Sequence, residues 1–388
     1  MNQVRTYLDF NASAPLLPAA REALLRALEC TGNASSIHGE GRACRSLAES
    51  ARASVGALAG MVANHVVFTS GGTEAANMAL TPEISVGRDL APLDLLLLGA
   101  GEHSCVLAGH RFAPDRVLLV PLDHNGLLDL AALSRLLDMN RGQKTMLAIQ
   151  HANNETGVIQ PVAEAAELVH GMGGLVMCDA VQSAGKIDCA MSTLGADLLV
   201  LSAHKLGGAK GAGALVFDRD RLHIRHALLR GGGQEAGARA GTENVAAITA
   251  FGAAARACSA KMAEKAARLQ VLRDKLEYEV LAIAPHATIF GGSVPRLANT
   301  SAFAVPGLSA ETLLIGLDLE GIAVSSGSAC SSGKVKRSHV LDAMGVEAGL
   351  AQGAVRVSLG WSSVPEDVSA FLAAFATVLH RAWRRAAA

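Results

Sequence analysis

Seven short apolar runs in the first 218 residues constrain this chain more than any other feature. They are HVVFTS (65–70), DLLLLGAG (94–101), RVLLVPL (116–122), TMLAIQH (145–151), GLVMCDA (174–180), DLLVLSAH (197–204) and GALVFD (213–218). Their apolar residues are consecutive rather than alternating, which is how strands read when both faces of a sheet are covered. TEAANMAL and AEAAELVHG, which lie between runs, carry helical patterns and supply that cover. The prediction is an α/β fold on a mostly parallel seven-stranded sheet, with ligand groups at strand ends and in the loops that follow.

A chain of 388 residues exceeds one ordinary hydrophobic core, so two domains are expected. Residues 245–280 are strongly helical and long enough to bridge them. Beyond that stretch, NTSAFAV, LSAETLLIGLDL, GIAVSS, AVRVSLG and PEDVSAFLAAFATVL read as strand, helix, strand, strand and helix, a smaller α+β unit. We place the large domain at 16–255 and the small one at 1–15 plus 256–388. Only 3% of residues are aromatic while half are hydrophobic, so the core must be built from Ala, Leu and Val.

The net charge of −1, with no long basic run, argues against nucleic acid or an anionic membrane surface as the main partner. The start, MNQVRTYLDFNASAP, has no apolar run suited to a signal peptide, and no stretch reaches membrane-spanning length. Seven cysteines without a CxxC pair suit free thiols in a reducing cytoplasm, and no resident metal site is expected.

Five groups carry potential chemistry. In SAHKLGGAKGAG (202–213) a strand delivers Ser202, His204 and Lys205 into a glycine-rich turn. A lone lysine is usually a surface residue. At the mouth of an apolar sheet it loses solvation, its pKa falls, and it becomes a Schiff-base nucleophile. TSGGTEAAN (69–77) places Gly72 and Thr73 at a helix start, either a simple cap or an anion cradle. It is no Walker loop, because no GK[ST] follows. Asp179 closes an apolar strand in MCDAVQSAGK. It reads as a helix cap, an ion-pair member or the partner of a pyridine nitrogen, with Gln182 able to reach a phenolate oxygen. His103 in GEHSCV reads as a structural residue, a ring-stacking group or a proton carrier. In AVRVSLG, Val355, Val357 and Leu359 face one way and Arg356 and Ser358 the other. Arg356 is then an exposed strand arginine or a carboxylate clamp. Taken together they describe one ligand, pyridoxal phosphate, with an amino acid as substrate. A sixth stretch, SSGSACSSGKVK (325–336), sets Cys330 among serines and glycines with almost no apolar side chain to bury it.

Read in order, YLDFNASAP, GNASSIHGEGR, VFTSGGTEAAN, EHSCVL, HANNETGVIQP, CDAVQSAGK, LSAHKLGGAKGAGAL, GGGQEAGARAGTEN, SSGSACSSGK and VRVSLG resemble the cysteine desulfurases of the NifS/IscS type, class V and fold-type I pyridoxal phosphate enzymes. The resemblance runs from about Tyr7 to beyond Trp361. It implies that Lys205 holds the cofactor, that Gly72, Thr73, Ser202 and His204 bind its phosphate, and that Thr242 adds a phosphate contact from a partner subunit, hence a homodimer. It further implies that Asp179 pairs with the pyridinium, that Gln182 and Asn154 contact the ring-oxygen side, and that His103 stacks on the ring. Arg356, with Asn33, would hold the substrate carboxylate.

By the same resemblance L-cysteine becomes L-alanine, Lys205 moves the α-proton, and Cys330 takes the sulfur as a persulfide, with His103 handling its proton. The sulfur would pass to an acceptor such as an iron–sulfur scaffold, where Cys330 would contact a cluster transiently. Ala34, Ala209 and Ala240 stand where the family usually has Pro, Pro and Ser. The cysteine segment is of the SGSAC type rather than the RxGHHC type. A selenocysteine lyase, another class V lyase or aminotransferase, and a non-catalytic cofactor-binding protein are the alternatives.

Overall fold

The computed structural model describes residues 5–326 and 337–386, so Cys330 lies outside the described residues. The seven apolar runs form one sheet. Its order is Val66–Thr69, Gly213–Phe217, Leu198–Ser202, Leu175–Asp179, Thr145–Gln150, Leu95–Gly99, Val117–Val120. Gly213–Phe217 is antiparallel to both neighbours, and all other pairs are parallel.

Successive strand residues enter different apolar clusters. Phe68, Leu95 and Leu97 pack on one face, and Val67, Leu96 and Leu98 on the other. Double burial of this kind is what makes the runs continuous rather than alternating. On the first face, helix Gly39–Leu58 packs against Val245–Ser259 so closely that a Cβ on Gly252 would lie 2.4 Å from Ala51 Cα.

The helical stretch 245–280 is two helices, Val245–Ser259 and Met262–Ile283. The break comes at Lys261, which adopts the left-handed φ of 56°. Neither Gly nor Pro marks it, so the pattern alone reads as unbroken.

The C-terminal part builds a four-stranded antiparallel sheet in the order Thr288–Ile289, Thr300–Ala304, Val355–Ser358, Ser325–Ser326. Helices Ala310–Leu319 and Pro365–Ala386 cover it, and Phe303, Phe371 and Phe375 interlock at their contact. Thr6–Tyr7 pairs in parallel with Ile322–Ala323, which carries the start of the chain to its far end. Among the described residues, no helix is long and apolar enough to cross a membrane.

Candidate active site

The parallel strands end on one edge of the sheet, where their loops enclose a cavity of about 270 Å³. Gly72, Thr73, His103, Asn154, Asp179, Gln182, Ser202, His204, Lys205 and Arg356 all line it. Sequence separation is large, but each residue lies at or soon after a strand end or at a helix start, except Arg356, which lies within the strand Val355–Ser358.

Gly72 opens helix Gly72–Ala79, with Thr73 next to it. A Cβ at Gly72 would stand 2.9 Å from Val181 Cγ2 and 3.4 Å from Ser202 Cβ, so only glycine leaves that floor clear. Ser202 ends its strand, and His204 Nδ1 lies 3.3 Å from Ser13 Oγ. Lys205 Nζ donates to the main-chain oxygens of Asn11 (2.5 Å) and Ala12 (3.0 Å). Asp179 is buried at its strand end, and Oδ1 accepts the Val181 N–H at 2.9 Å.

His103 caps the short helix Ser104–Leu107. Its Nδ1 accepts the Cys105 N–H at 3.2 Å and lies 3.0 Å from Cys105 Sγ. That pairing makes Nε2 the protonated nitrogen of the neutral ring. Arg356 is only 3% exposed rather than a surface strand arginine. Its guanidinium donates to Asp9 Oδ1 (2.8 Å) and Asn154 O (2.9 Å), while the buried Nε has no partner.

Other candidates stand apart. Asn33 is exposed, does not line this cavity, and its Oδ1 accepts the Ser35 N–H at 2.8 Å. Thr242 is also exposed and borders a separate cavity with Ser70 and Arg239. Gln182 lines the cavity but gives its amide N–H to Asn11 O at 2.9 Å.

Asn11 is the residue that sequence reasoning missed. It is 1% exposed, and its main-chain oxygen receives both Lys205 and Gln182. Its side chain donates to Thr300 Oγ1 (2.9 Å) and accepts from Asn299 Nδ2 (3.0 Å), and its N–H donates to Ser358 Oγ (3.0 Å). The signal was an asparagine in the YLDFNASAP motif, in a segment too polar to read as core. Glu102, beside His103, was also passed over. Glu102 is buried, with Oε1 accepting the Gln150 N–H at 2.8 Å and Oε2 unpartnered.

Burial governs the electrostatics. It raises the Glu102 carboxyl well above its ordinary range, and the neighbouring Asp179 charge adds to this. Burial also raises Asp179, with the charges of His103 and Lys205 opposing. His204 is pushed down to about 4 by burial and then by Lys205 and Lys210. Burial likewise takes His151 down to about 4.

Both imidazoles are therefore neutral in the folded chain near pH 7. The unfolded chain protonates them near pH 6.5 and the folded chain only near 4. Stability is then intact above about pH 6.5, declines as pH falls toward about 4, and levels below that for these groups. Denaturation midpoints of the cofactor-free protein across that window should fall with acid, and His151→Gln should flatten the decline. An unchanged slope in the variant would remove His151 from the account.

The chain matches the family model described as aminotransferase class-V over residues 6–371. It is 38% identical to a cysteine desulfurase of Cereibacter sphaeroides, over 93% of this chain and 92% of that protein. It is 36% identical to an IscS-like cysteine desulfurase of Mycobacterium tuberculosis, over 98% of each. Among solved structures it is similar to a NifS-like protein from Rickettsia africae. That match has a TM-score of 0.87 and 32% identity, and covers 97% of this chain and 99% of that one.

Proposed function

The chain belongs to the class-V aminotransferases, as a cysteine desulfurase of the NifS/IscS type, and on that footing we propose that it uses pyridoxal phosphate to convert L-cysteine to L-alanine and passes the sulfur on as a persulfide of Cys330. The observation that carries this reading is the convergence of an amine, a buried carboxylate, a helix start and a buried guanidinium in one cavity.

The donor set fits pyridoxal phosphate. The glycine floor at Gly72, where a Cβ would collide with Val181, leaves room for an anion against the helix N-terminus. Thr73, Ser202 and His204 line the same cavity and would hold the phosphate there. Asp179 supplies a carboxylate for the ring nitrogen, and Lys205 supplies the amine that holds the cofactor covalently. Asn154, and Gln182 through its remaining amide capacity, would contact the ring oxygen. When bound, the cofactor withdraws electrons from the α-carbon of an attached amino acid.

The chain's own residues do the rest. Lys205 Nζ, parked on the Asn11 and Ala12 carbonyls, is the base that takes the α-proton and returns it. Asp9 fixes one edge of Arg356, which lines the cavity, and its guanidinium would seat the substrate carboxylate. Asn33 is the second candidate for that carboxylate. His103, which lines the cavity, is the candidate to handle the proton of the Cys330 thiol, and it would take that proton on whichever ring nitrogen carries none. The thiolate attacks the substrate sulfur, and the S–S bond forms as the S–C bond breaks. The S–C electron pair goes to the β-carbon, which takes up the proton the thiol gave up. The outer sulfur keeps its own proton as the persulfide, and alanine leaves.

Thr242 lies outside this cavity, as a phosphate ligand contributed to a partner subunit in a homodimer would. The described cysteines are all free, in keeping with a cytoplasmic enzyme handing sulfur to an acceptor such as an iron–sulfur scaffold.

The test is a product count. The holoprotein with L-cysteine and dithiothreitol should give alanine and sulfide in equal amounts. Alanine without sulfide, or a keto acid in place of alanine, would overturn the reading and favour another class V reaction.

A further inference from the structure

A second cavity of about 270 Å³ lies beside the first, and Lys205 is the residue that lines both. Its wall is apolar, built from Phe10, Leu17, Leu206, Met262, Leu269 and Trp361. Into it are set Lys186, Lys265 and Arg268, and no Asp or Glu appears among its described lining residues.

The three cations are held by neutral oxygens. Lys186 Nζ donates to Gln182 O (2.8 Å) and Oε1 (3.2 Å). Lys265 Nζ donates to Ala257 O (2.5 Å) and Ala260 O (2.7 Å). Arg268 donates to the main-chain oxygens of Ser363, Gly360 and Trp361. None of the three forms an ion pair among the described residues. Burial, and then the nearby charge of Lys205, hold the Lys186 ammonium down to about 7. A counter-ion there would relieve that penalty.

Cations with no anionic partner, around an apolar space at the small end of ligand cavities, match a molecule with one negative head and a short hydrocarbon body. We propose that this cavity is a binding site for a medium-chain carboxylate. The cysteine substrate is too polar to fill it, and the site described above already provides for that substrate. Lys186 also connects the two cavities, since it holds Gln182, which shares the Asn11 oxygen with Lys205. A carboxylate drawing Lys186 off Gln182 would move a side chain that lines the first cavity beside the amine that carries the cofactor.

Octanoate titrated calorimetrically into the holoprotein should show one saturable site per chain, while acetate, with the same head and no body, should give none. The same titration should shift the visible absorption of the Lys205-bound cofactor. Ala266→Trp, which fills the space, should weaken octanoate binding at least tenfold, and Lys186→Met should do the same by removing the head-group cation. The second variant, with folding checked by circular dichroism, serves if the first does not fold. Absence of saturable binding, binding that survives both substitutions, or binding that leaves the absorption unmoved would overturn the proposal.

Discussion

Lys205→Ala yields a folded protein without the visible absorption of a covalently held cofactor, and alanine production from L-cysteine falls at least about a thousandfold. A positioned general base alone contributes roughly 10²–10⁴ in rate, and this substitution also removes the covalent attachment. The fold should tolerate it. The Lys205 side chain is half-buried, and the Asn11 and Ala12 carbonyls it leaves keep, in Asn11's case, the Gln182 amide as donor. The measurement is an absorption spectrum with a single-turnover alanine assay, and far-ultraviolet circular dichroism as the control. A variant with the parent spectrum would move the attachment to another amine.

Cys330→Ser separates the two halves of the reaction. The variant should keep the cofactor absorption and its change on adding L-cysteine, while sulfide yield falls at least about a thousandfold, because a serine hydroxyl cannot form a persulfide. The residues bounding the 327–336 segment lie beside the candidate site. Ser325–Ser326 pairs with the strand that carries Arg356. On the other side, Ser338 Oγ donates to Glu155 Oε2 at 2.5 Å, and His339 Nε2 to the Glu102 main-chain oxygen at 2.8 Å. Cys105→Ser is the control, since Cys105 also lines the cavity. If Cys105→Ser lost sulfide production and Cys330→Ser kept it, the nucleophile would be reassigned.

The large sheet was legible because doubly covered strands leave consecutive apolar residues, and the seven runs are the seven strands. Groups at strand ends were legible for the same reason, since Asp179, Ser202 and Lys205 follow immediately on such runs. What the reading left open or passed over depends on tertiary partners. Arg356 alternates with core valines, yet alternation cannot say whether the opposite face meets water or Asp9 and Asn154. Asn11 works through its main-chain oxygen, a group every residue possesses. Gln182 was read toward the ligand and directs its N–H to Asn11. Lys186 closed a quoted motif without being given a task, because only packing shows that it enters a second cavity. The helix break at Lys261 was hidden because a lysine carries no turn signature.

The tie between Asp9 and Arg356 spans 347 positions of sequence. During synthesis, the ribosome must release the chain through residue 356 before that strand can meet Asp9. Lys205 and its carbonyl perch emerge much earlier, but the guanidinium seat forms late, because contacts so remote in sequence carry the largest loop-closure cost. On the proposed role of Arg356, a nascent chain can therefore hold its large sheet while still unable to grip an amino acid, so turnover would begin only once the strand Val355–Ser358 has joined it.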